Sequence, residues 1–241
     1  MNDINWCVRK GENWCILAPN DSGETALLSI LTDYTALSKG EVYLLGERYG
    51  NFEWRELKKQ IGFVSSHISD KVLPSIKVIE LLFSGKYTMM NNWFNQSEHE
   101  KRKAGTLLKK YQCEHLADKQ WRQLSSGEKQ QIMTARALMS QCKIIILDKP
   151  CAGLDPIARH QFLRYLQDIF SRKDAPTLIM LTHYIEEIIP QITHVMMIKK
   201  GRVFHQGKKM DVITSEMMSK LFDTSILCNY NKGMFNAEYF V

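Results

Sequence analysis

Residues 18–25, Ala-Pro-Asn-Asp-Ser-Gly-Glu-Thr, keep the spacing of a phosphate-cradling loop but place an acid, Glu24, where such a loop uses lysine. The frame G-x-x-x-x-G-K-[ST] binds phosphate through successive backbone N–H groups at a helix N-terminus. Its Lys reaches the terminal phosphates, and its Ser or Thr holds Mg2+. Here Ala18 stands for the first Gly, Gly23 and Thr25 match, and Glu24 reverses the charge. Pro19, Asn20, Asp21 and Ser22 fill the loop, and Ala26 continues the segment beyond it. Taken alone, the stretch reads as an ordinary strand-to-helix turn.

The elements around it make that turn a positioned one. Trp14-Cys-Ile-Leu17 is a short apolar run ending at the turn residues Pro19-Asn20-Asp21, and Thr25–Leu31 has helical apolar spacing. The loop therefore joins a strand to a helix. Glu41–Gly46 and Ile61–Ser65 predict further strands. From about Val78 to about Gln120 the chain turns helical and polar, as in a helical subdomain. Lys143–Asp148 and Thr177–Thr182 are continuous apolar runs, the pattern of strands buried on both faces of a parallel sheet. Val195–Ile198, Gly201 and Arg202–Gly207 predict a closing hairpin, and the segment after Asp211 a terminal helix and tail.

With 241 residues the chain is long enough to bury a substantial core as one compact unit with a helical insertion. No run approaches the roughly 18–20 apolar residues a membrane-spanning helix needs. The opening residues lack a basic segment followed by an apolar core, so a cytoplasmic location is expected. Six cysteines without a C-x-x-C pair fit reduced thiols rather than disulfides or a zinc site. The charge of +6 includes scattered runs such as Lys101-Arg102-Lys103 and Lys208-Lys209, which read as solvated surface; nucleic-acid binding has no other support and ranks last.

Four segments downstream of the loop, in fixed order, resemble the ATP-binding cassette (ABC) ATPase family. Leu124-Ser-Ser-Gly-Glu128 resembles the signature L-S-G-G-Q; Ile144–Pro150 resembles the Walker B strand. Cys151-Ala-Gly-Leu-Asp-Pro156 resembles the D-loop, and Leu181-Thr-His183 the switch histidine. The resemblance runs from about residue 4 to about residue 210. It implies an α/β fold of P-loop NTPase type: a mostly parallel sheet flanked by helices, an antiparallel β part and a helical signature subdomain, with one N-terminal strand missing. It further implies a single domain over 1–241, with 1–77 and 140–210 as ATPase core, 78–139 as helical subdomain and 211–241 as C-terminal tail.

By the same resemblance the cofactors are ATP and Mg2+. Residues Ala18 to Ala26 face the nucleotide; Thr25 and Asp148 hold the metal, with Ser66 at the metal-sensing position. His183 contacts the γ-phosphate, and Asp155 belongs to the D-loop, although a helix cap explains an Asp there equally. Ser125, Ser126, Gly127 and Glu128 address the ATP of a facing chain, since the family pairs head to tail, as homodimer or heterodimer. A membrane transporter subunit is the further partner implied, which would place the chain on the inner face of the cell membrane. The apolar residues from Leu73 to Met90 read either as its docking surface or as subdomain core.

The chain departs from the pattern at chemically decisive points. Lys149 occupies the position of the acid that polarises the attacking water. Glu24 for Lys changes the charge beside a polyphosphate by two units, and Asp21, where the family has Gly, adds a negative charge at a position that often needs positive φ. Ser65-Ser66 replaces the Q-loop glutamine, and Trp6 and Trp14 lie on the wrong side of the gap from the aromatic residue that stacks on adenine. The signs at 24 and 149 have exchanged, which raises an ion pair between them; two unrelated substitutions explain the exchange as well. Three readings follow: an ABC ATP-binding subunit with impaired hydrolysis, an active ABC ATPase energising transport, and a non-catalytic partner that lends its signature motif to an intact subunit.

Overall fold

The computed structural model describes residues 1, 3–32, 39–49, 57, 59–86 and 105–240. The strands are β1 (Trp14–Leu17), β2 (Tyr43–Leu44), β3 (Glu47–Arg48), β4 (Ile61–Val64), β5 (Ile144–Asp148), β6 (Thr177–Thr182), β7 (His194–Lys199), β8 (Arg202–Lys208), β9 (Ser225–Asn231) and β10 (Met234–Phe240). The helices are α1 (Glu24–Thr32), α2 (Ser66–Ser69), α3 (Val78–Lys86), α4 (Ser126–Leu138), α5 (Pro156–Phe170), α6 (Lys209–Val212) and α7 (Ser215–Phe222). They fall into two compact units, residues 1–58 with 177–241, and residues 59–176.

In the first unit β1 lies between β6 and β7, parallel to both, with Trp14 in register with Ile179 and with His194. Cys15, Ile16 and Leu17 are completely buried, as are Leu178, Met180 and Leu181 of β6 and Val195–Ile198 of β7. Continuous apolar runs arise because both faces of these strands are covered. The antiparallel β8 follows β7 through a tight turn at Lys200-Gly201 and ends the sheet; an edge strand meets water, and its residues are largely exposed and polar. The expected strand over Glu41–Gly46 is instead the two-residue hairpin β2–β3. Leu45 (φ 53°) and Gly46 (φ 90°) reverse the chain where a continuous strand was expected.

After the predicted terminal helix, α7, the chain forms a hairpin rather than an open tail. β9 and β10 pair over seven residues each around Lys232 (φ 49°) and Gly233 (φ 85°), both left-handed as a two-residue hairpin turn requires. The hairpin packs on the short 3-10 turn Ile185–Glu187, where the Glu186 carboxylate accepts a bond from the Ala237 N–H at 3.2 Å.

In the second unit β4 and β5 are parallel neighbours, from Ile61 opposite Ile144 to Val64 opposite Leu147. α3 packs on α4, and α4 on α5. Val78, Leu81 and Leu82 are buried whereas Leu73 is 40% exposed, so the described part of the Leu73–Met90 stretch is chiefly subdomain core; residues 87–90 lie outside the described residues. The helices start where their caps dictate: Asp155 Oδ1 accepts from the N–H groups of Ile157 and Ala158, both at 2.9 Å, with Pro156 at the first helical position of α5.

Candidate functional site

The loop after β1 has the shape its residues forecast. Asp21 (φ 60°) and Gly23 (φ 91°) both take left-handed backbone, so the Asp in place of Gly carries the conformational cost expected of it. The turn between β7 and β8 holds the loop through Gly201 N–H donating to Ser22 O at 2.9 Å, and Ala26 N–H donates to Gly23 O at 3.1 Å as α1 begins. Ser22 is buried, Asn20 and Asp21 are exposed, and Thr25 lies in the first turn of α1. A Cβ built on Gly23 would come within 3.0 Å of Met1 Sδ, so this glycine answers to steric closeness as well as to φ.

Glu24 decides the character of the site. Its side chain is 3% exposed, at the start of α1, where an acid complements the positive end of the helix dipole. Its Oε1 lies 4.0 Å from Nε2 of His183, the residue that follows β6. The other imidazole nitrogen, Nδ1, sits 2.6 Å from the carbonyl oxygen of Ala18; a carbonyl only accepts, so Nδ1 carries the proton. His183 Nε2 is buried and makes no hydrogen bond among the described residues. Thr182 donates to the buried Glu187 and its hydroxyl oxygen accepts from Tyr184 N–H at 3.1 Å, which fixes the backbone on either side of His183. Thus Ala18, Glu24 and His183, which are 165 residues apart at the extremes, meet in one place.

The second unit holds the other expected residues. Asp148 ends β5, Lys149 turns the chain with φ 47°, and Lys149 O accepts from Ala152 N–H at 3.0 Å. Asp155 is the cap of α5, and Ser66 opens α2 beside the buried Ser65. The signature segment starts α4 through a reciprocal cap: Glu128 N–H donates to Ser125 Oγ at 3.2 Å, while Ser125 N–H donates to Glu128 Oε2 at 2.7 Å. Ser126 is the first residue of the helix, and Gly127 faces Ala158 of α5, whose Cβ would be 3.5 Å from one built on the glycine. A cavity of about 700 Å3 opens beside this cap, with Ser125, Gly127, Glu128, Gln131 and Ala158 in its lining.

Lys119 completes the cap, its Nζ 2.9 Å from Glu128 Oε1. Burial pushes the Glu128 carboxyl up, but the bonds from Lys119 and Ser125 outweigh it and the carboxyl ends below its usual range. A depressed folded-state value gives stability that is present above the unfolded value, about pH 4 to 5, and is lost as pH falls through the folded one. Glu128→Ala is therefore expected to lower the melting temperature by about 2–4 °C at pH 7, the effect of a cap worth about 1 kcal/mol in a chain of this size. Calorimetric scans at decreasing pH should show the gap between wild type and variant closing below about pH 4; a constant gap would remove Glu128's charge from the account. Ser125-x-x-Glu128 is a capping signature readable from sequence, whereas Lys119, nine residues upstream, offers no periodic signal.

Comparison with known proteins decides the family. The family model described as ABC transporter matches residues 1–152. The chain belongs to the ABC transporter family. It is 36% identical over 233 residues to the ABC transporter ATP-binding protein YlmA of Bacillus subtilis (strain 168), covering 96% of this chain and 88% of that protein. It is also 32% identical to YmeB of Lactococcus lactis subsp. lactis (strain IL1403), over 100% of this chain and 92% of that one. Among solved structures, cbiO1 from Clostridium perfringens, part of the ABC transporter complex cbiONQ, superposes with a TM-score of 0.75 at 27% identity, covering 90% of this chain and 85% of that one. The dimeric bacterial ABC transporter cassette MJ0796 does so with a TM-score of 0.69 at 25% identity, covering 85% and 88%. ABC cassettes bind ATP, typically with Mg2+, dimerise and work with membrane subunits of transporters. In this ABC cassette no described helix is long and apolar enough to cross a membrane.

Proposed function

We propose that this chain is an ABC transporter ATP-binding subunit that has given up hydrolysis, with residues 1–241 forming one cassette and 78–139 its helical subdomain. The observation that carries the reading is the 4.0 Å approach of Glu24 to His183. In the family both positions address terminal phosphates; here a buried carboxylate faces the imidazole across that place. The residues therefore do not fit a magnesium triphosphate: Glu24 repels it, and Asp21 adds a second acid to the loop. Lys149 supplies no carboxylate to take a proton from water, a role ordinarily worth about 10^2- to 10^4-fold in rate.

The capped signature segment supports a second reading of the same chain. Ser125, Gly127 and Glu128 keep an ordered helix start, so in a head-to-tail heterodimer, peripheral on the membrane beneath a transporter subunit, this half serves the ATP of a competent partner. Phosphate release from Mg-ATP tests both. The chain alone is expected to turn over at least about 1,000-fold below the ~10 s⁻¹ typical of enzymes. Mixed with a cassette that has both Walker lysine and catalytic glutamate, it should form an ATP-dependent pair whose activity falls when Ser125 is changed to Arg. Turnover near 1 s⁻¹ by the chain alone would refute the first reading; no pairing would refute the second.

A further inference from the structure

At the end of β1 away from the phosphate loop, the first unit holds a second cavity of about 650 Å3, with Trp6, Arg9, Glu12, Trp14, His194 and Lys208 in its lining. Trp14 opens β1 beside His194, the first residue of β7; Leu17, where the loop begins, lies three residues on, about 10 Å at ordinary strand rise. Trp14 stacks on His194 with ring centroids 4.8 Å apart and 20° between planes, and Trp6 meets Trp14 edge-on at 5.7 Å and 75°. Trp14 is thereby used up in packing, while the half-buried Trp6 adds aromatic surface to the cavity.

The polar lining is specific. Glu12 Oε2 accepts from Arg9 N–H at 2.9 Å and from Trp14 Nε1–H at 3.0 Å. Its Oε1 has only longer contacts, 3.7 Å to Arg9 and 3.9 Å to His194 Nε2, and keeps capacity to accept a hydrogen bond. Two exposed cations, Arg9 and Lys208, stand against this one carboxylate. A cationic ligand would meet both, and a purely apolar one would leave Glu12 Oε1 without use.

We propose that this cavity is a second ligand site, which takes a planar nucleobase bearing an exocyclic amine together with its phosphate. The ring stacks on Trp6, the amine donates to Glu12 Oε1, and Arg9 and Lys208 meet the phosphate. A free nucleotide and one residue of a single-stranded nucleic acid offer the same chemistry. The site is independent of the phosphate loop and of its competence.

Calorimetric titration of the full chain with AMP, with a six-nucleotide oligoadenylate and with inorganic phosphate tests it. AMP is expected to saturate below about 1 mM, and Trp6→Leu and Lys208→Glu each to weaken it about tenfold or more, toward the low end of one base–aromatic stack. An oligonucleotide bound more than about tenfold tighter than AMP makes nucleic acid the source, and equal affinity makes it the free nucleotide. No binding of either, inorganic phosphate binding as well as AMP, or AMP binding kept unchanged in both cavity variants would overturn the proposal. If Trp6→Leu folds poorly, the exposed Lys208→Glu carries the test.

Discussion

The doubly exchanged chain, Glu24→Lys with Lys149→Glu, is expected to bind Mg-ATP at least about a hundredfold more tightly than the natural sequence. A unit charge pair at about 4 Å contributes up to roughly 4 kcal/mol at an effective dielectric of about 20, and position 24 changes by two charges. A hundredfold needs about 2.7 kcal/mol, which leaves room for screening by salt and water. Titration calorimetry checks it: micromolar binding by the unaltered chain would show that the backbone N–H groups of the loop suffice on their own. Glu24→Lys alone is expected to lower the melting temperature, because it replaces the buried acid beside His183 and at the start of α1 with a cation. An unchanged melting temperature would mean that no ionic partner of Glu24 stabilises the fold.

The largest effect on stability is expected at Gly85, in α3. A Cβ there would sit 2.3 Å from the carbonyl oxygen of Arg136 in α4 and 2.9 Å from that residue's Cγ. The first of these is backbone, so relief requires moving one helix against the other. Overpacking of this kind costs about 1–3 kcal/mol and more when backbone must shift. Gly85→Ala is expected to lower the melting temperature by about 10 °C or prevent folding, and to break the bond by which Arg136 Nε donates to Ser84 Oγ at 2.9 Å. Gly105→Ala is the control: nothing lies within 4 Å of its Cβ position, and alanine favours the helical conformation found over 105–110. Equal melting temperatures for the two variants would show that α3 and α4 are not in close apposition.

What could be read from sequence was what short-range chemistry determines. Thr177–Thr182 and Lys143–Asp148 announced buried parallel strands because the four residues inside each run are all apolar, and both strands are present within a residue of those limits. The ordered series of motifs gave the family, since its spacing survives the substitutions at 24 and 149. Positive φ at Leu45 could not be read, because leucine rarely takes it, and the strand expected there became two. β9 and β10 were hidden for a related reason: their turn is Lys232-Gly233 rather than Asn-Gly, and their exposed faces mix Tyr, Leu and Asn so that alternation is weak. The approach of Glu24 to His183 depends on β1 lying beside β6, a pairing that no local spacing encodes.

The short segment carrying His183 is gripped from two directions. On one side the imidazole bonds Ala18 at the mouth of the phosphate loop; on the other, three residues on, Glu186 bonds the backbone of β10. The hairpin that follows α7 is thereby linked, through Glu186 and His183, to the carbonyl that begins the loop after β1, although it lies more than 40 residues further along the chain.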